Sequence, residues 1–407
     1  MTAAANVQGS HRDPGSRPSA WLAVASVYLG AAMQGLALVS FAASGPTLRM
    51  AQHLSDAQYG LVFLPQVGAT IVGALLGSTV AQRLGMQRLL WIALLFDALS
   101  QLGLASVESV PVPLALPMLL AAATAMGLGF GFMGSPMNGC PALFFPTRTG
   151  AATVGIHCFN GSGLIFGPML LQFTLAHAGF NAYPLAQGML ALALVALTLV
   201  ARFDPGARDD AAARHAETAP WRSAAFWLLA IIAVTYSFAE GTFGNWASVY
   251  LQEDRHLPAD VAALGLSAFW AGVVGGRLLV SLLILKLPER AVWRFLPLVM
   301  AAAFLLLPSV DSAATGIGLF ALAGLGCSAF FPLTVALTTR RFPRHLAFAS
   351  AMMIAALMAG NGLGSFMLGA LRAHLSFEAL YRASVLYPAL ALLLTFVVPK
   401  PETPAGR

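Results

Sequence analysis

Apolar residues run in blocks of about twenty along the whole chain, separated by short polar or Gly/Pro-containing breaks. Wound as a helix rising about 1.5 Å per residue, such a block matches the roughly 30 Å hydrocarbon core of a bilayer. Twelve blocks are predicted as membrane helices, over residues 21–43, 58–81, 89–108, 113–140, 149–175, 184–201, 223–250, 261–285, 292–308, 312–338, 346–371 and 381–398. The ninth is short, and only a brief polar join separates the fourth from the fifth. Residues 1–20 are polar and rich in Pro, Gly and Ser, without the apolar core of a signal peptide, and are predicted to form a disordered tail. Residues 202–222 are the longest polar interior stretch. They divide the chain into a 21–201 bundle and a 223–398 bundle, leaving 399–407 as a C-terminal tail.

Composition agrees with that pattern. Only 9% of the 407 residues are charged and 58% are hydrophobic, whereas soluble domains carry about 25% charged residues. The expectation is an all-α membrane protein whose principal partner is the lipid bilayer. The net charge of +6 does not point to nucleic acid, because the basic residues are spaced singly between apolar runs. Of the 22 Lys and Arg residues, Arg49, Arg255, Arg372 and Arg382 fall on one side of the alternation and Arg277 falls inside a span; the other 17 share the side of the termini and linker. Cytoplasmic loops carry the excess of Lys and Arg. Both termini and the linker are therefore expected in the cytoplasm, with the chain multi-pass in a bacterial inner membrane. Cys140, Cys158 and Cys327 lie in or beside apolar runs without metal-ligand spacing, so they read as reduced thiols and no metal is expected.

The two halves show an internal repeat. GALLGSTVAQRL from Gly73 lies over GRLLVSLLILKL from Gly276, and GLGFGFMGSPMNGCPALFFP from Gly127 lies over GLGCSAFFPLTVALTTRRFP from Gly324. The second register puts Gly163 and Gly167 over Gly360 and Gly364. Both matches fall at corresponding spans, which predicts two pseudo-symmetric six-helix bundles. Gly73/Gly77, Gly127/Gly131, Gly163/Gly167, Gly272/Gly276 and Gly360/Gly364 are small-xxx-small pairs, read as places where helices approach closely.

Twelve spans, a central linker and repeated loops resemble the major facilitator superfamily over essentially the whole chain. Its signature loop between the second and third helices reads roughly G-x-x-x-D-R-x-G-R-R. The matching segment here keeps Arg83, Gly85 and Arg88 as a gating loop, but Gln82 stands in the acidic position. EGTFGNWASVYL, from Glu240 to Leu251, and SAFWAGVVGGRLL, from Ser267, resemble the fucose-permease-like branch, although the acids of that branch in the first and fourth helices have no match. The resemblance implies a cavity lined by the first, fourth, seventh and tenth helices. Its candidate substrate-contacting residues here are Gln34, Asn138, Asn245 and Trp246. Trp246 also suits a membrane-interface aromatic, and Asn361 suits the satisfaction of freed backbone groups.

Charged residues inside spans cost roughly 2.5–3.5 kcal/mol each at a helix centre. Here they are Asp97, Glu240 and Arg277, with Glu108 near an outer end. Asp97 has Gln101 one turn on, on the same face, and a structural hydrogen-bonding role and a functional one both fit it. Arg277 lies nine residues before Lys286, and His157 nine after Arg148, so both sit roughly 13 Å from the cytoplasmic boundary. The resemblance brings the fifth and eighth helices together, which makes His157, Asn160 and Arg277 an expected polar cluster between the halves. The alternative is that Arg277 snorkels to water or bonds backbone carbonyls. Glu240 is the only acid on a span that the resemblance assigns to the cavity wall. With Asp97 as second candidate, it is the expected proton-coupling group. Gly241 and Gly244 follow it and are expected to loosen the helix there. The alternative is that Glu240 caps or braces its neighbours.

No HExxH, GxSxG or phosphate-binding loop is present, which argues against an enzyme and against built-in ATP hydrolysis. The expectation is a secondary active transporter moving a small polar solute, such as a sugar, by alternating access. It needs no cofactor beyond a proton gradient and works as a monomer. A drug- or metabolite-exporting antiporter of the same fold is the alternative, and a non-transporting membrane sensor is a third reading.

Overall fold

The computed structural model describes residues 18–201, 203 and 222–398. The expected tails and nearly all of the linker lie outside the described residues. Twelve helical spans are long and apolar enough to cross a membrane. The first half contains α1 (Trp21–Ala43), α2 (Asp56–Gly77), α3 (Met86–Ser109), α4 (Val112–Phe144), α5 (Thr149–Ala178) and α6 (Ala182–Val200). The second contains α7 (Ala224–Asp254), α8 (Ala259–Leu283), α9 (Glu289–Ser309), α10 (Ala313–Arg341), α11 (Phe348–Leu371) and α12 (Phe377–Val397). Among the described residues there is no strand. Helices dominate because lipid offers no hydrogen bonds, so each span must satisfy its own backbone.

The twofold pattern is visible in which helices pack together. In the first half α2 packs on α4, α1 on α5 and α3 on both α4 and α6; in the second, α8 packs on α10, α7 on α11 and α9 on both α10 and α12. The repeated glycines are where the backbones meet. A Cβ on Gly127 would lie 2.0 Å from the Gln66 carbonyl oxygen, and one on Gly324 would lie 1.9 Å from that of Phe269. Phe269 follows Gln66 by the same 203 residues that separate Gly276 from Gly73. Between the halves, α5 packs on α8 and α2 on α11, again a symmetric pair of contacts.

Several spans depart from a continuous α-helix, and two of the departures bear on the site. α7 is regular from Ala224 to Val249 and then makes one π-helical turn, Tyr250–Asp254. The expected loosening at Gly241 and Gly244 is therefore not found. Those glycines instead admit neighbours: a Cβ on Gly241 would meet the Asn361 carbonyl oxygen at 2.5 Å, and one on Gly244 the Phe269 ring at 3.2 Å. The break occurs one helix away. α10 is two helices, Ala313–Cys327 and Phe330–Arg341. Pro332 has no N–H to give the Ser328 carbonyl four residues back, so the ladder fails there. α2 and α12 divide at Val62 and Val385, and α3 and α9 each end in a 3-10 turn.

Candidate transport site

The end of the bundle away from the termini is sealed by contacts between the two halves. Arg49, on the short helix Gly45–Gln52 that follows α1, pairs with Asp56 at 2.8 Å and with Glu253 of α7. The Tyr59 hydroxyl donates to the Asn245 carbonyl at 2.9 Å, and its ring meets Trp246 edge-on at 5.0 Å. Beneath them α2 and α11 touch backbone to backbone. A Cβ on Gly60 would lie 2.9 Å from the Ser365 carbonyl oxygen, and one on Gly369 would lie 2.4 Å from that of Asp56. Polar, aromatic and close-packed contacts thus coincide across one seam.

Nearer the termini the interface carries charge. Glu240 of α7 is within electrostatic reach of Arg277 of α8 and interacts with the Tyr236 hydroxyl one turn before it. Arg277 also reaches His157, on α5 of the other half. Partners on α5, α7 and α10 surround Arg277 on three sides, yet both it and His157 are exposed. α5 and α8 meet one turn away, where a Cβ on Gly161 would lie 2.7 Å from the Val274 side chain. The break in α10 is tied into the same group. Arg277 Nε donates to the Ser328 carbonyl at 3.1 Å, and the Tyr236 hydroxyl donates to the Cys327 carbonyl at 2.7 Å. Two carbonyls at the interruption are thus capped by side chains that also interact with Glu240, Tyr236 through its hydroxyl and Arg277 through its charge. Tyrosine has a single hydroxyl proton. The Cys327 carbonyl and Glu240 therefore compete for it, and the charge on Glu240 decides which of them Tyr236 serves.

The sequence profile of the Major Facilitator Superfamily matches residues 20–320. The chain belongs to the major facilitator superfamily. Its fold is that of solved superfamily transporters. A D-xylose–proton symporter matches with a TM-score of 0.78 at 18% identity, covering 94% of this chain and 98% of that one. The nucleoside transporter NupG matches at 0.77 with 13% identity, covering 93% and 100%. A bacterial homologue of the human lysosomal transporter Spinster, solved inward-facing and occupied, matches at 0.74 with 17% identity, covering 96% and 100%. No curated protein sequence matches the chain significantly. Superfamily membership makes this a multi-pass membrane transporter and not an enzyme.

Within this superfamily fold the sequence candidates take several different places. Gln34 is completely buried, and its amide donates to Asp97 Oδ1 at 3.3 Å. Enclosure by α3 takes it off the cavity wall on which it was expected. Asp97 is equally buried, beside α4, where a Cβ on Gly129 would meet it at 2.5 Å; Gln101 donates to Ser40 at 3.0 Å. Those residues join α1 to α3 inside one half. Asn245 donates to Asn361 Oδ1 at 3.0 Å and Ser365 Oγ at 2.7 Å, and the Trp246 indole donates to the Ser365 carbonyl at 3.1 Å. Both residues therefore fasten α7 to α11 under this seal, and Trp246 is fully buried, neither at a lipid interface nor on an open wall. Asn138 is exposed on α4 and folds back to its own helix at the Gly134 carbonyl, 2.8 Å away.

Of the expected interface cluster, His157 and Arg277 are within electrostatic reach of each other, whereas Asn160 donates to the Ala31 carbonyl at 3.1 Å. In the loop after α2, Arg83 and Arg88 are exposed on either side of Gly85, whose φ of +85° lets the chain turn between helices. Tyr236 and the seal residues Arg49, Tyr59 and Glu253 were not among the candidates. Tyr236 was legible as the residue one helical turn before Glu240, and Pro332 as a missing donor. The seal joins segments nearly 200 residues apart, a pairing for which a single sequence holds no local signal.

Proposed function

We propose that this protein is a proton-coupled secondary transporter that imports a small polar solute across a bacterial inner membrane, with Glu240 carrying the coupling proton. The observation that supports this reading is the position of Glu240. It is a carboxyl on the interface between the halves, linked through Tyr236 and Arg277 to both freed carbonyls of the interrupted α10. Gain or loss of its proton redistributes those hydrogen bonds, and so reaches a helix that is already interrupted and able to bend. With both termini cytoplasmic, the seal at the opposite end and the exposure of Arg277 and His157 nearer the termini support an inward-facing arm of an alternating-access cycle.

Glu240→Gln separates this reading from a bracing role, because glutamine keeps the shape and hydrogen-bonding capacity of the neutral acid. In proteoliposomes the variant should exchange solute in counterflow at close to the wild-type rate. Uphill uptake driven by a proton gradient should be lost. Uphill uptake with unchanged pH dependence would remove Glu240 as the proton carrier and make Asp97 the next candidate.

A further inference from the structure

We infer that the transported solute carries a carboxylate, bound in the space between the halves by the two terminal nitrogens of Arg277. The inference deepens the proposed function and rests on that reading for its coupling, though not for its chemistry. Arg277 uses Nε to cap the Ser328 carbonyl at 3.1 Å, and among the described residues no carboxylate lies within ion-pair distance of its guanidinium. The bond at Nε fixes the plane of the group, and among the described residues neither Nη nitrogen has a hydrogen-bond partner; the side chain is exposed, with His157 of the other half within electrostatic reach. A planar pair of parallel N–H donors is the geometry that a carboxylate fills with two hydrogen bonds. A cation this far inside a span is costly without a counter-charge, and the protein sets none against it in direct contact.

Charge balance links the site to Glu240. The titratable or charged groups around that carboxyl are Tyr236 on its own helix, Arg277 from α8 and Cys327 from α10. α11 presents Asn361 and Ser365, which do not titrate, and Tyr387 of α12 packs beside the neighbouring Phe238. Arg277 is thus the one cation in reach. With the site empty, ionised Glu240 balances it. With a monocarboxylate bound, Glu240 must be protonated, or two negative charges would share one positive charge. A bound proton without solute would leave Arg277 unbalanced. Both half-loaded states are disfavoured in a low-dielectric interior, so one proton and one monoanion travel together. A phosphate dianion does not balance, because among the described residues no second arginine or lysine is within electrostatic reach of Glu240. A hydroxylated monoacid fits both the balance and the polar-solute reading.

Matched pairs of probes test the chemistry without any mutation. Purified full-length protein is heated in detergent with lactate or lactamide, gluconate or gluconamide, benzoate or benzamide, and with inorganic phosphate or xylose. Stabilisation by at least one carboxylate but not by its amide is expected, and Arg277→Gln, which retains a donor for the Ser328 carbonyl, should weaken it at least tenfold. Arg277→Lys should recover only part, since it restores charge without the planar fork. Equal stabilisation by acid and amide, by phosphate, or by xylose alone overturns the assignment, as does the absence of any effect across the carboxylates. Glu240→Gln distinguishes the two readings. Retained carboxylate binding that no longer weakens as pH rises supports both. Carboxylate binding with intact uphill uptake would sink the Glu240 reading alone, whereas gradient-driven uptake of a neutral solute that survives in Arg277→Gln would sink this one alone.

Discussion

Gly369→Ala should hold the transporter away from its outer-closed form while leaving each half folded. The added Cβ would stand 2.4 Å from the Asp56 carbonyl oxygen, where ordinary contacts are about 3.5 Å or more. The clashing atom is backbone, so it cannot rotate aside, and α2 and α11 must part by about an ångström. Overpacking of this kind costs about 1–3 kcal/mol. Because Asp56 and Gly369 belong to different halves, that cost falls on the state in which the halves meet here; the Trp246 ring, 3.0 Å from the same Cβ and in the same half, adds a smaller cost common to both states. The outer-closed population should fall by roughly 5- to 150-fold relative to the alternative. Spin labels at exposed Ser109 and Ala314, with exposed Cys158 replaced by serine, would report the separation of the outer ends. The variant should gain a longer-distance population and lose turnover. Gly324→Ala is the contrast: its clash at 1.9 Å with the Phe269 carbonyl lies inside one half, so it should lower the yield of folded protein in either state. An unchanged distance distribution in Gly369→Ala, with wild-type transport, would refute the assignment of this seam as the outer gate.

Tyr59→Phe removes the bond to the Asn245 carbonyl and should shift the same distance distribution in the same direction by roughly two- to tenfold, as expected for about 0.5–1.5 kcal/mol. Asp97→Ala strips the Gln34 amide of its buried partner and should cost about 1–3 kcal/mol, read as a lower melting temperature; Asp97→Asn, which keeps an acceptor, should melt near wild type and retain uphill uptake. Reporter fusions at Ala207 and Ser376 should report opposite sides of the membrane, and finding both on one side would overturn the cytoplasmic placement of the linker.

The helices were legible because lipid leaves the backbone no choice. Twelve apolar blocks became twelve spans, and the 203-residue offset between Gly73 and Gly276 carried through to the Gln66 and Phe269 contacts. The candidate site was legible only in part. Composition singled out Glu240, Arg277 and His157, since charge in a span is costly enough to stand out. Which way a side chain turns was not readable. Gln34 appears as suited to a cavity as any other polar residue until Asp97 on α3 takes its amide. The hinge was misjudged because glycine in a packed membrane helix more often admits a neighbour than bends the chain, as Gly241 does for Asn361. Pro332, through the donor it lacks, marks the real interruption in α10.

The central claim is that solute and proton cross together, and proton movement tests it most directly. Proteoliposomes would carry a pH-sensitive dye inside, equal pH on both faces and no ATP. Adding a solute that the protein exchanges in counterflow should acidify the lumen as the solute enters. The acidification should disappear in Glu240→Gln while counterflow continues. Solute entry without acidification in the wild type, or full acidification in Glu240→Gln, would contradict the account.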